Sequence, residues 1–155
     1  MYERVVVASG AAAAITAHAG AAGGVETGGI LIGLVEQRTM AVAYASPPGP
    51  RATKHRLFFR RDTAFLQRLL DRRVRQSPRA IDYVGEWHVH RALDTEPSWV
   101  DKRELWRIAA STNYAPDRPV LLLLEADRGE HRFRAYGFER KPARRYGEIP
   151  VDLTA

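Results

Sequence analysis

The chain has 155 residues, 45% of them hydrophobic and 27% charged, which suits one ordinary domain with its own core and excludes wholesale disorder. It has no cysteine, so disulfides, iron–sulfur ligation, thiol catalysis and thiolate metal sites are excluded, and any metal must sit on His, Asp or Glu. The net charge of +6 is local: residues 51–79 hold ten Lys/Arg against Asp62 and Asp71 alone, a segment suited to an acidic partner surface or nucleic acid.

Val5-Val6-Val7 reads as a short strand. The apolar stretch from Val5 to Ala19 lacks the basic region of a signal peptide, because Glu3 offsets Arg4, and Ser9-Gly10 interrupts it. It reads instead as an alanine-rich buried helix, capped by Ser9, running to about His18 and ended by Gly20, Gly23 and Gly24. A cytoplasmic protein is expected, and no stretch reaches the roughly 18 apolar residues of a membrane span. Ile30 to Val35 and Met40 to Ala45 form a hairpin across Glu36–Thr39. Ser46-Pro47-Pro48-Gly49-Pro50 is a loop, since three prolines leave no ladder donors, and Leu57-Phe58-Phe59 is a further short strand.

Asp62 is positioned to cap a helix in which Phe65, Leu66, Leu69, Leu70 and Val74 recur at helical spacing, with arginines elsewhere on the wheel. Ser77-Pro78 ends it. Ala80 to Val89 is a strand, residues 91–97 a loop, and Ser98 starts a helix to about Thr112 with Leu105, Ile108 and Ala109 inward. The unbroken apolar run from Val120 to Leu124 predicts a central strand buried on both faces. Asp127-Arg128-Gly129 turns the chain into a second hairpin over Arg132–Phe138. With no internal repeat and no linker, the expectation is a single domain of the α/β class, a mixed sheet covered by helices. Its core is expected to span about 4–138, with 139–155 a peripheral C-terminal tail.

Chemistry concentrates in Trp87-His88-Val89-His90. On a strand both imidazoles leave the same face, which is a natural start to a zinc site. Asp101, one turn into the helix that follows, is the candidate third ligand, leaving a fourth position open for water as catalytic zinc requires. Hydrolysis also needs a base to move a proton to the leaving amine, and Glu26, flanked by Gly24, Gly28 and Gly29, is the choice. Glu86, two residues before His88 on the same face, is a rival base or a partner that orients an imidazole.

Glu26 followed by His88-Val89-His90, seven residues, Ser98, two residues and Asp101 resembles the JAMM (JAB/MPN) metalloprotease signature, a distant Glu and H-x-H-x₇-S-x₂-D. The flanks Glu26-Thr27-Gly28-Gly29-Ile30-Leu31-Ile32-Gly33 and Tyr83-Val84-Gly85-Glu86-Trp87-His88 are similar to the prokaryotic JAB branch, which includes the deconjugases of type II CBASS and bacterial ubiquitin-like conjugation (Bil) antiphage operons. The resemblance covers about residues 4–138. It implies the MPN fold, a curved mixed sheet flanked by helices. It also implies one catalytic Zn²⁺ on His88, His90 and Asp101, Glu26 as general acid/base, and Ser98 as hydrogen-bond donor to the oxyanion. The implied reaction is hydrolysis after the C-terminal glycine of a ubiquitin-like protein. Its conjugates, and the associated activating and conjugating enzymes, are the implied partners. Family members commonly read His-Ser-His-Pro. Here Val89 and Arg91 replace the Ser and the Pro, and Arg91 in place of proline is expected to free the loop after His90.

Thr27, Gly28, Gly29 and Trp99 are candidate substrate contacts, with substrate added as an extended strand along a sheet edge near Gly28–Leu31. Ser98-Trp99-Val100-Asp101 also reads as a plain capping box. Trp87, Trp99 and Trp106 read as core, although Trp99, beside the site, could line a groove. His18, His55 and His131 read as structural or exposed. Two alternatives remain open on the sequence. One is a peptidase for sulfur-carrier proteins, with the same site. The other is a non-enzymatic basic nucleic-acid-binding or scaffold module.

Overall fold

The computed structural model describes residues 1–54, 59–111 and 117–154, with only the backbone of Lys54, Phe59 and Arg60. Leu57, Phe58 and Thr112, named above as ends of a strand and a helix, lie outside those residues.

Strand β1 (Arg4–Val7) leads at once into helix α1 (Ser9–Ala21). Ser9 is not the cap: Ala8 holds that position, tied by its backbone N–H to Val42 O at 3.0 Å, with no side-chain cap. The helix is held by packing, since Ala11, Ala12, Ile15 and Ala19 are buried against the sheet. Strands β2 (Gly28–Glu36) and β3 (Thr39–Ala45) form the expected hairpin, with Gln37 in the left-handed region at φ 55°. Two short strands, β4 (Thr53–Lys54) and β5 (Phe59–Arg60), pair with each other and, among the described residues, with no other strand. Helix α2 (Thr63–Gln76) is capped by Asp62, whose carboxylate accepts from Phe65 N at 3.2 Å and Arg51 N at 2.8 Å.

Strand β6 (Asp82–His90) is followed by helix α3 (Trp99–Ala110), then by β7 (Val120–Asp127), β8 (Glu130–Glu139), β9 (Arg145–Ile149) and β10 (Val151–Leu153). Eight strands make one mixed sheet in the order β10-β1-β3-β2-β6-β7-β8-β9. β6 and β7 run parallel at its middle, and Val120 to Leu124 are fully buried as the apolar run requires. Gly85 permits that pairing, because a Cβ there would lie 1.9 Å from Val120 O. Leu31, Trp87, Val89, Leu122 and Leu124 face α1. Ile30, Ile32 and Tyr83 face α2, and Leu121 and Leu123 pack with Leu105 of α3. The sheet is therefore covered by one helix on one face and two on the other.

The segment after Lys141, expected to be peripheral, supplies both edges of the sheet. β9 pairs with β8 and β10 with β1, and only Pro150 separates the two strands, so the sheet must curl until its edges nearly meet. Short, polar strands gave no periodic signal from which this could be read.

Candidate active site

β6 presents Glu86, His88 and His90 toward the face that α3 covers, and the capping box of α3 fixes what meets them. Ser98 Oγ accepts from Asp101 N at 3.1 Å, and Asp101 Oδ2 accepts from Ser98 N at 2.8 Å. A capping carboxylate held this way has one rotamer and a set direction. It lies between the two imidazoles: His88 Nδ1 is 2.8 Å from Asp101 Oδ1, and His90 Nε2 is 3.3 Å from Asp101 Oδ2. Capping box and ligand candidate are thus the same residues.

The second nitrogen of each ring is also engaged. His88 Nε2 stands 3.3 Å from Glu86 Oε2. Glu86 is 1% exposed and accepts from the Arg61 guanidinium, which also binds Glu104, and from Tyr83 Oη at 3.4 Å. Glu86 is therefore a held partner of His88. His90 Nδ1 is 3.0 Å from Thr95 Oγ1, and that hydroxyl donates to Glu125 Oε1 at 3.3 Å. A hydroxyl that donates to a carboxylate can only accept from the imidazole, so His90 Nδ1 carries the proton and Nε2 faces Asp101.

Electrostatics follow from this packing. Burial disfavours charge on His88, but the carboxylates of Asp101 and Glu86 outweigh it and push its pKa up to about 10. Burial would raise Asp101, but the hydrogen bond from His88, the positive charge of that ring and the Ser98 N–H outweigh it and hold Asp101 well below the usual carboxylate range.

Glu26 reaches the site through strand register. Gly28 pairs with His88, and Val89 N donates to Thr27 O at 2.9 Å, so continuing the register sets Glu26 opposite His90. Burial raises its pKa, opposed by His90 and reinforced by Asp101, so the carboxyl lies within the field of the other site groups. Arg91 does not free the loop after His90, as its replacement of proline suggested. Its Nε donates to Val25 O and its Nη2 to Ala19 O, each at 2.9 Å, fastening the end of β6 to α1 and to the residue before Glu26. Proline has no such donors.

The expected substrate contacts divide. Thr27 is fully buried with its hydroxyl unpaired, and Gly28 and Gly29 are buried against β6. A Cβ on Gly29 would meet Ser46 Oγ and Trp87 Nε1 at 2.6 Å. Leu31 pairs with Ala45 on one side and Gly85 on the other, and Ser46 closes Ile30. Ile30 and Leu31 are therefore closed on both sides and cannot take a substrate strand, whereas Gly28 and Gly29 are paired with β6 on one side. Apolar alternation marks a strand but does not say whether its edge is free. Trp87 is core, Trp106 is half-buried, and Trp99 is 67% exposed beside the site, so it is not core.

Sequence reasoning missed Glu125 and Thr95, and it noticed Arg91 but expected the opposite effect. Glu125 is fully buried, accepts from Asp94 N at 3.0 Å and Thr95 N at 3.1 Å, and is matched by Arg132 and Arg134 at 2.8 and 3.0 Å. It stands beside His90 in the parallel register. A carboxylate closing four leucines was the one available signal.

Among the described residues, no three His, Asp or Glu side chains are spaced about one point as metal ligands are; Asp101 is instead shared directly by the two rings. The donor set is nevertheless the chemistry that suits zinc: two imidazoles and a carboxylate, each with an outer hydrogen-bond partner.

Comparison with known proteins agrees with this architecture. The family model "Prokaryotic homologs of the JAB domain" matches residues 8–136, and the chain belongs to that family. Its curved mixed sheet with three helices is the MPN fold. A probable metalloprotease, y4qB, of Sinorhizobium fredii is 38% identical over 101 residues, covering 64% of this chain and 62% of the relative. A CD-NTase/cGAS isopeptidase of Enterobacter hormaechei is 36% identical over 104 residues, 66% of this chain and 56% of the relative. The chain thus spans about six-tenths of the length of these relatives. The solution structure of protein DSY2949 from Desulfitobacterium hafniense has the same fold, with a TM-score of 0.71, 18% identity, and coverage of 97% of this chain and 92% of that one. No helix among the described residues is long and apolar enough to cross a membrane.

Proposed function

We propose that this chain is a zinc-dependent isopeptidase or peptidase that hydrolyses the bond after the C-terminal glycine of a ubiquitin-like protein. Its setting would be bacterial antiphage conjugation in the cytoplasm, with the activating and conjugating enzymes of that system as partners. The observation that supports it most is the Asp101 carboxylate shared between His88 and His90, with Glu26 across the ladder from His90. The names of two relatives, an isopeptidase and a probable metalloprotease, point the same way.

His88, His90 and Asp101 are the residues that would hold zinc, which when bound supplies Lewis-acid activation of a water molecule. The remaining steps belong to the chain. Glu26, ionised, takes the proton from the attacking water and passes it to the leaving amine. Ser98 gives its hydroxyl proton as a hydrogen bond to the oxyanion and keeps its capping role while it does so, because a lone pair of the same oxygen accepts from Asp101 N. Thr95 keeps the His90 ring in one tautomer throughout.

The test pairs metal content with cleavage. Wild type is expected to bind about one zinc per chain, His88→Ala none, and Glu26→Ala the wild-type amount with no cleavage of a ubiquitin-like precursor. Absence of zinc from the wild type after supplementation, or native cleavage by Glu26→Ala, sinks the reading.

A further inference from the structure

A groove of about 410 Å³ runs between the outer face of α3 and the turn joining β8 to β9. Trp99 and Arg103 line it from the helix, Arg140 and Arg144 from the turn, and Trp106 beneath. Trp106 is anchored there: its edge meets Phe138 and Tyr146, its Nε1 donates to Arg145 O at 3.2 Å, and Arg144 sits over its ring at 5.9 Å. Glu104, the one acid lining the groove, is already engaged by Arg107 and Arg61. Among the described residues, Arg103 and Arg140 have no carboxylate partner, and Arg144 has only the Trp106 ring. At the head of the groove Trp99 is 67% exposed and its neighbour Val100 58% exposed, at the first positions of α3 and next to Ser98.

We propose that this groove docks an acidic polypeptide segment, with Trp99 taking an apolar side chain of that segment and Arg103, Arg140 and Arg144 its carboxylates. Unpaired guanidinium groups gathered on one surface call for an anionic partner. Exposed Trp together with Arg is the composition of protein-docking anchors. A single-stranded nucleic acid fits less well, because it needs successive open ring faces. Here Trp106 is covered by Arg144, leaving Trp99 as one isolated platform. The proposal concerns binding alone and stands whether or not the neighbouring site cleaves anything.

The test is fluorescence anisotropy of the full chain with a labelled short peptide of Glu and interspersed Leu, beside its Lys-for-Glu counterpart and an oligothymidylate of matched charge. Saturable binding of the acidic peptide alone is expected, weakened about tenfold or more by Arg140→Glu/Arg144→Glu and by Trp99→Ala. Arg72→Glu/Arg75→Glu, on the other basic face, should leave it unchanged. Arg140, Arg144 and Trp99 are exposed, and unaltered thermal melts will show that their variants fold. The proposal fails if the wild type does not bind the acidic peptide, if the α2 variant loses as much as the groove variants, or if oligothymidylate binds equally and is lost with the same substitutions.

Discussion

Arg91 stands where the resembling proteins commonly carry proline, and it does with hydrogen bonds what a rigid ring does with geometry. Its guanidinium closes the Ala19 carbonyl at the end of α1 and the Val25 carbonyl next to Glu26. Its charge also lowers the Glu26 pKa slightly against the dominant effect of burial, which raises it. Glu26 must be ionised to accept a proton, so activity should be lost on acidification at a pH above the ordinary glutamate value of about 4.3. Arg91→Gln should move that limb further up, read from the pH profile of kcat/KM, while zinc content stays unchanged. Ser98 carries two duties, and a substitution separates them. Ser98→Ala is expected to cost about 1 kcal/mol in unfolding free energy through the lost cap, and about a hundredfold or more in kcat through the lost oxyanion donor. Ser98→Asn should recover most of the stability and little of the rate. His88, His90, Ser98 and Asp101 were legible because a strand period of two and a helix cap place side chains by local rules alone. Arg91 and Thr95 were not, because their partners lie on other elements and no spacing announces them.

At the scale of elements, the loop carrying Thr95 is held less by its own sequence than by the strand beneath it. Glu125 at the end of β7 accepts from two backbone N–H groups of the loop, from the Thr95 hydroxyl and from two arginines of β8. Burial raises its pKa, but the hydrogen bonds of Arg132 and Arg134 outweigh burial and hold it below the ordinary value. A depressed carboxylate contributes stability above its unfolded pKa and loses it as pH falls through the folded one. Glu125→Gln should therefore destabilise by about 2 kcal/mol near neutral pH, and urea unfolding of variant and wild type should draw together only as pH falls below the ordinary glutamate range. Because Glu125 also fixes the His90 tautomer through Thr95, the same variant should weaken zinc affinity by about tenfold or more, measured by chelator competition. The strands and helices of this region were readable from hydrophobic period and caps. The buried network was not, since a lone Glu after four leucines reads equally well as the start of a turn.

At the scale of the molecule, pairing between distant strands decided what the sequence could not. Strand order placed β2 inside the sheet and closed Ile30 and Leu31 on both sides, although their composition suits an edge equally well. It also carried the basic turn at Arg140–Arg144 beside α3, giving a second cationic surface far in sequence from residues 51–79. Val5, Val6 and Val7 of β1 pair in parallel with Val151, Asp152 and Leu153 of β10. That pairing joins residues separated by almost the whole domain and closes a very long loop, so its entropic cost falls due before any local contact rewards it. During synthesis β1 is exposed on that side until almost the whole domain has been made. In refolding, β10 should dock after the transition state, so a chain ending at Pro150 is expected to refold at nearly the wild-type rate and to unfold markedly faster, a split that stopped-flow denaturant jumps would read directly. On this view the last three residues of the sheet govern how long the native state lasts and have little influence on how it is found.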